Sequence, residues 1–397
     1  MQGVRARGGS RSFDKNKIYS PSIFAIPSKG FIQYASVKNE KRGYIVEFLA
    51  PVRENAWKYK SDRKAETFQS AGYITATQNI LISKIAVSKN IFGKDSHNSI
   101  LALDVNTGKK IFETDLGTKV PVDITNGFID EANKEITVFG LYYKKGDKIV
   151  KDKSKGLFAY ALDFEGKIKT TKYLSWEDNV NPFLPMDKRG KSNNPQFLYF
   201  HDIIKTKDGK IIAVGEQFYK AVSGKAVALK MLSSIITGSS RGRLQSSSKG
   251  GVSKLVIGDL SLFTFDKDFN LEGVNFVEKS KSDFYGPSDF SSAQVIALFA
   301  KIEGAFDYSF TQTNEDHSII IINYLDYERR TGEKNGYTLG AINYVDGSFT
   351  TDKVKFDGEV DKVKIFPAKH GYVCIVEINH QKKKMNTLKM RLEKINY

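Results

Sequence analysis

At 397 residues, with 40% hydrophobic and 12% aromatic residues, the chain is too long for one conventional core and too apolar to be disordered. Its 61 lysines and arginines against 45 acidic residues give a formal charge of +16. These basic residues run from end to end rather than gathering with aromatics on one element, so no specific nucleic-acid site is expected. A single cysteine, Cys374, excludes an internal disulfide framework, and no stretch reaches the roughly 18 apolar residues of a membrane-spanning helix.

Residues 1–11, MQGVRARGGSR, read as a flexible tail without a hydrophobic leader segment. The expectation is a secreted or periplasmic protein in its mature form, with the cytoplasm as the alternative. From residue 12 to 397 the chain reads as a single domain of hairpins. SFDKNKIYS (12–20) is an extra strand-like piece, and IFAIPSKGFIQYASV (23–37) is the first full hairpin. AGYITATQNILISKIAV (71–87) is followed by ILALDVNTGKKIFETDLG (100–117), in which apolar and polar residues alternate on both sides of an Asn-Thr-Gly turn. The same succession recurs in GFIDEANKEITVFGLYY (127–143) with FAYALDFEGKIKTTKYL (158–174), and in DIIKTKDGKIIAVGEQF (202–218) with LFTFDKDFNLEGVNF (262–276). YSFTQTNEDHSIIIINYL (308–325) with LGAINYVDGSFTTDKV (339–354) follows it again, and VKIFPAKHGYVCIVEI (363–378) begins a last unit.

The second strand of each leading hairpin is an apolar run, such as Ile319 to Ile322, which predicts burial on both faces. Two hairpins make a four-stranded antiparallel unit, and a period of about 50 residues points to a propeller or solenoid rather than to two β-sandwiches in tandem. Six blades are expected, near 20–62, 66–118, 120–176, 199–280, 305–357 and 360–397. The last is one strand short, so the N-terminal piece at 12–20 is expected to pair beside the C-terminal strand and close the ring.

LALDVNTGKKIF resembles the repeat of the quinoprotein-like β-propellers, Ala-x-Asp-x-x-Thr-Gly-Lys followed by Trp. Ala102, Asp104, Thr107, Gly108 and Lys109 fit, and Phe112 stands at the tryptophan position. The other units lack the Thr-Gly pair, so the resemblance implies the fold and no quinone cofactor. The chain as a whole is similar in style to uncharacterised secreted propeller proteins of Gram-negative bacteria.

In a propeller of this kind the loops between second and third strands, and those between blades, emerge on one face. That places the long insertions 144–156, 175–199, 219–254 and 280–305 together, three of them bordering blade 4. Two stretches within them are expected to be helical. KAVALKMLSSII (225–236) gathers Ala228, Leu229, Leu232, Ile235 and Ile236, and SAQVIALFAKIEG (292–304) spaces Val295, Leu298, Phe299 and Ile302 as one apolar face. Packing of these faces onto the propeller, or onto each other as a cap, is the expectation; exposed faces would instead mark a partner or a membrane surface.

No catalytic signature appears, and no cofactor or metal is expected. His97, His201, His317, His370 and His380 lack metal-ligand spacing, and DKDFNLEG (Asp266 to Gly273) reads as a hairpin turn rather than a calcium loop. The residues expected to bind a ligand on the decorated face are Trp176, His201, Arg241, Arg243 and Tyr285, by stacking and charge-assisted hydrogen bonds. The functional expectation is a monomeric, non-enzymatic binding or scaffold propeller with a protein or glycan partner. The alternative is a hydrolase or lyase acting on an anionic polysaccharide.

Overall fold

The computed structural model describes residues 17–37, 43–52, 55–61, 67–89, 96–116, 120–149, 151–184, 197–222, 253–286, 292–328, 336–356, 362–379 and 387–395. Among them, strands follow one another into six antiparallel sheets. β1 (Lys17–Ile26), β2 (Gly30–Val37), β3 (Tyr44–Leu49) and β4 (Trp57–Lys60) form the first, and β5 (Phe68–Ala76), β6 (Ile80–Ser88), β7 (His97–Asp104) and β8 (Lys110–Leu116) the second. β9 (Val122–Asp130), β10 (Glu135–Tyr142), β11 (Gly156–Asp163) and β12 (Ile168–Ser175) form the third. The fourth holds β13 (Leu198–Lys205), β14 (Ile211–Val222), β15 (Ser253–Phe265) and β16 (Leu271–Val277), with β17 (Ser282–Tyr285) added along the free half of β15. The fifth is β18 (Tyr308–Thr313), β19 (Ile319–Glu328), β20 (Gly336–Val345) and β21 (Ser348–Lys355); the sixth is β22 (Lys362–Pro367), β23 (Tyr372–Asn379) and β24 (Thr387–Lys394).

Each sheet packs face to face on the next through a separate apolar core. Ile32, Val46 and Phe48 of the first sheet meet Leu81, Leu101 and Leu103 of the second, while Ile82, Ile100 and Ala102 on the opposite face meet Ile124 and Val138 of the third. The apolar run Ile80–Ile82 is thus buried on both faces, as its composition requires. The same arrangement joins the third and fourth sheets through Phe139, Phe200 and Phe263, the fourth and fifth through Val214, Leu262 and Tyr324, and the fifth and sixth through Ile321, Leu339 and Ile375. First strands of neighbouring sheets touch, β5 with β9, β9 with β13 and β18 with β22. Consecutive four-stranded meanders stacked in this way around their first strands are the plan of a β-propeller.

The turn that resembles the quinoprotein repeat is held locally and across sheets. Asp104 Oδ1 accepts from the Thr107 backbone N–H at 2.7 Å and from its hydroxyl at 2.8 Å, and Gly108 takes φ +69°. The Trp57 indole N–H donates to the Val105 carbonyl at 2.6 Å, tying the first sheet to the second. At the calcium-like stretch, Asp266 Oδ1 accepts from the N–H groups of Asp268 and Asn270 at 2.9 and 2.8 Å, which is a self-capped hairpin turn.

Two details differ from the sequence reading. The fourth sheet has a fifth strand, because β15 is 13 residues long and β16 pairs with only its C-terminal half. The piece at 12–20 was expected beside the C-terminal strand, yet Lys17, Ile18 and Tyr19 pair with Val37, Ser36 and Ala35 of β2. The β1–β2 ladder resumes beyond a bulge at residues 20–22 instead of ending at Ile23, so this stretch opens the first sheet; residues 12–16 lie outside the described residues.

A bulge recurs in the first strands. One extra residue interrupts the register at Ile74 in β5, Thr125 in β9, His201 in β13 and Ser309 in β18. Such bulges re-aim side chains at the rim of a sheet. In the fourth sheet the extra residue is a histidine.

Candidate functional site: a buried ionic network under an outward-facing helix

His201 enters a network that spans the fourth and fifth sheets. Its Nε2–H donates to Glu216 Oε2 on β14 at 3.1 Å, and its Nδ1 accepts from the Lys301 ammonium at 3.0 Å. The ring stacks on Tyr308 with centroids 4.6 Å apart and meets Phe306 edge-on at 4.9 Å. Glu216 accepts three further bonds, from the backbone N–H groups of Asp307 and Tyr308 at 3.2 Å each and from Lys279 at 3.0 Å. Lys279 also pairs with Asp307, which accepts in addition from the Ser282 hydroxyl at 3.2 Å. The side chains of His201, Glu216 and Lys279 have no exposure.

Lys279 reaches the interior because of how β15 is edged. β16 ends at Val277 and β17 starts at Ser282, both on the same side of β15, so the intervening residues break away from the ladder. The backbone there is caught by carboxylates: Asp259 accepts from Lys279 N–H at 3.3 Å and Asp326 from Ser280 N–H at 3.0 Å.

The charge states follow from burial and partners. Burial pushes the His201 imidazole down to about 4, with the Lys301 charge adding to the effect, so at neutral pH it is uncharged. Burial alone would raise the Glu216 carboxyl, but the Lys279 charge and the hydrogen bonds from His201 hold it low and ionised. The Asp307 carboxyl is raised, by burial first and by the neighbouring Glu216 charge, against the pull of Lys279. Burial also pulls the Lys301 ammonium down to about 8, while its charge lies 5.7 and 5.4 Å from the ring centroids of Tyr199 and Tyr308.

Lys301 belongs to α1 (Ala293–Glu303), the helix expected over 292–304. Ser292 caps its start by accepting from Val295 N–H at 3.3 Å, and Gly304 ends it at φ +68°. The facing is the reverse of the expectation. Ala293, Ile296, Ala297 and Ala300 pack on Phe218, Leu255 and Ile257, whereas Leu298, Phe299 and Ile302 are 53%, 40% and 48% exposed. The small alanines allow the helix to approach the β14–β15 extension closely, and Lys301 reaches past them to His201. The larger residues are left outside.

Three of the insertions meet here, while residues 223–252 of the fourth lie outside the described residues. Gln294 Nε2 donates to the Asp152 carbonyl at 3.0 Å, joining α1 to the loop 144–156, and the Trp176 indole N–H donates to Ser154 of that loop at 3.0 Å. Gly286, just after β17, lies against Ile296.

Of the residues expected to bind a ligand, His201 is buried in the network and Trp176 is buried at 5% exposure in the core between the third and fourth sheets. Tyr285 is 48% exposed at the end of β17, beside α1. Arg241, Arg243 and the stretch 225–236 lie outside the described residues. Two clefts, of about 360 Å³ beside Tyr173, Asp178 and Phe183 and about 390 Å³ beside Lys29, Phe48 and Asn106, are lined by none of these residues. Among the described residues no group of three or more His, Cys, Asp or Glu is placed to hold a metal ion.

The network's other members, Glu216, Lys279, Lys301 and Asp307, have no chemical motif in the sequence. Glu216 carried one signal, a lone charge inside the apolar strand IIAVGEQF; the partners come from three other elements and left none.

The fold and this sector define a β-propeller with one built-up flank. A family model described as a family of unknown function, DUF6770, matches residues 7–396, and the chain belongs to that family. No curated protein matches it. Among solved structures, a puromycin hydrolase is similar at 8% identity and a TM-score of 0.42, over 95% of this chain and 44% of that one. The present chain thus spans less than half of that relative. The α-L-arabinofuranosidase Arb93A from Fusarium graminearum is similar at 7% identity and a TM-score of 0.39, over 94% and 91% of the two chains. A neuraminidase-like protein from A/bat/Guatemala/164/2009 is similar at 11% identity and a TM-score of 0.37, over 90% and 81%.

Proposed function

We propose that the protein is a non-enzymatic binding scaffold, a six-bladed ring that closes between its last and first sheets and engages a partner through the flank around α1. The secreted or periplasmic setting belongs to the same reading. One observation carries it: Leu298, Phe299 and Ile302 face outward from a helix whose inner face is fixed by alanine packing and by Lys301. An apolar stripe of this kind is a feature of interaction surfaces, and a rigid support limits the entropy lost on docking. It favours an apolar partner surface over a glycan, whose recognition relies on flat aromatic platforms and paired polar groups.

The alternative, a hydrolase or lyase acting on an anionic polysaccharide, is motivated by the positive charge and by Trp176, Arg241 and Tyr285 as binding candidates; the carboxylates near His201 bear on it. Glu216 and Asp307 both pair with Lys279 there, an arrangement that opposes two carboxyl groups free to flank a glycosidic bond.

The test is the triple substitution Leu298→Asp, Phe299→Asp and Ile302→Asp in the full chain. A free docking stripe predicts a folding stability within about 2 kcal/mol of the parent, from three surface changes of up to about 0.5 kcal/mol each and the lower helix propensity of aspartate. A loss of several kcal/mol would mean that the stripe is covered by the rest of the chain, and the docking reading would be wrong.

A further inference from the structure

Resting on that docking reading, we propose that the partner of the α1 flank is the surface of an anionic lipid bilayer. Two observations converge on this chemistry. The first is the stripe itself: Gln294, Leu298 and Ile302 follow one another at four-residue spacing along one line of the helix, with Phe299 beside it.

The second is what Gln294 touches. Its amide is bonded to the Asp152 carbonyl, and Leu298 begins one helical turn, about 5.4 Å, further along. Asp152 sits between Lys151 and Lys153 in a loop that carries six lysines and two aspartates over residues 144–155. All six, Lys144, Lys145, Lys148, Lys151, Lys153 and Lys155, are exposed. The two acidic groups of the loop are turned onto its own backbone: Asp147 accepts from Lys144 N–H at 2.9 Å and Asp152 from Lys148 N–H at 2.6 Å. A dense patch of positive charge therefore lies at the head of the apolar stripe.

Apolar side chains along one helix with a cluster of cations at its head are the composition of an interfacial contact that lies on a membrane. No helix among the described residues is long and apolar enough to cross one.

Flotation of the full chain with vesicles tests this. At low salt it is expected to float with phosphatidylcholine vesicles containing phosphatidylglycerol and not with phosphatidylcholine alone, and to be released by high salt. Leu298→Asp/Phe299→Asp/Ile302→Asp, and separately Lys145→Glu/Lys148→Glu/Lys151→Glu, should each lower the bound fraction by about tenfold or more. Ile111→Asp/Ile168→Asp, on outer strands of other sheets, should leave it unchanged. No binding to phosphatidylglycerol vesicles, or equal binding by the parent and the α1 variant, overturns the lipid assignment. If the α1 variant melts within a few degrees of the parent in that case, the docking reading stands and only the lipid fails. If its melting temperature falls further than that, both fail.

Discussion

Lys301 on α1 donates to Nδ1 of His201 on β13 at 3.0 Å, across 100 residues of sequence. A neutral imidazole is the only form that can accept this bond while its Nε2–H serves Glu216, so this tie between helix and sheet requires the neutral ring.

That dependence has a sign. His201 binds its proton only near pH 4 when folded, below the ordinary 6.5, so between those values the unfolded chain holds more protons. Its contribution is complete above about 6.5 and is lost as the pH falls toward 4, a span worth about 3 kcal/mol. Asp307 acts in the opposite sense, since its raised carboxyl contributes at low pH and loses that contribution as the pH rises. Urea unfolding at a series of pH values should show the parent weakening over the histidine range and His201→Gln flatter there, isolating the imidazole.

Lys279 neutralises two buried carboxylates. Lys279→Met leaves Glu216 and Asp307 without their cation and should cost about 3–5 kcal/mol in urea unfolding. The exposed pair Lys210–Glu272 gives the contrast, and Lys210→Met should cost at most about 1 kcal/mol.

The two faces of α1 should respond oppositely to size. Ala297 is 1% exposed against the β14–β15 extension, so Ala297→Leu should overpack it and cost about 1–3 kcal/mol. Leu298→Ala removes a larger group but, at 53% exposure, should change stability by no more than about 0.5 kcal/mol. Chemical denaturation of the two single variants checks the pair.

Gly108 is required twice, by its positive φ and by Trp57, whose ring would lie 2.6 Å from an added Cβ. Gly108→Ala should destabilise by more than about 1 kcal/mol and disturb the near-ultraviolet circular dichroism of Trp57.

The strands were legible because their signals are local. Alternation on each side of Asn106–Thr107–Gly108 and the run Ile319–Ile322 specify hairpins and two-sided burial without reference to distant residues. The limits of α1 were legible for the same reason, with Ser292 and Gly304 marking them. Its facing was not. Apolar periodicity assigns the larger side chains to the interior, whereas here a narrow surface beneath the helix admits alanines and leaves Leu298 and Phe299 outside. The ionic network was hidden because Glu216, Lys279, Lys301 and Asp307 are brought together by strand pairing and by the break between β16 and β17, neither of which has a local signature. Trp176 shows the converse, an aromatic at the head of an insertion whose ring is used by the core between sheets.

The most direct measurement is the rate of thiol labelling of Leu298→Cys and Ile302→Cys, each in the full chain with Cys374→Ser. An anchored helix with an open stripe predicts labelling of the folded protein at a rate close to that in denaturant. Strongly slowed labelling at both positions would show that the stripe is covered and would contradict the docking face.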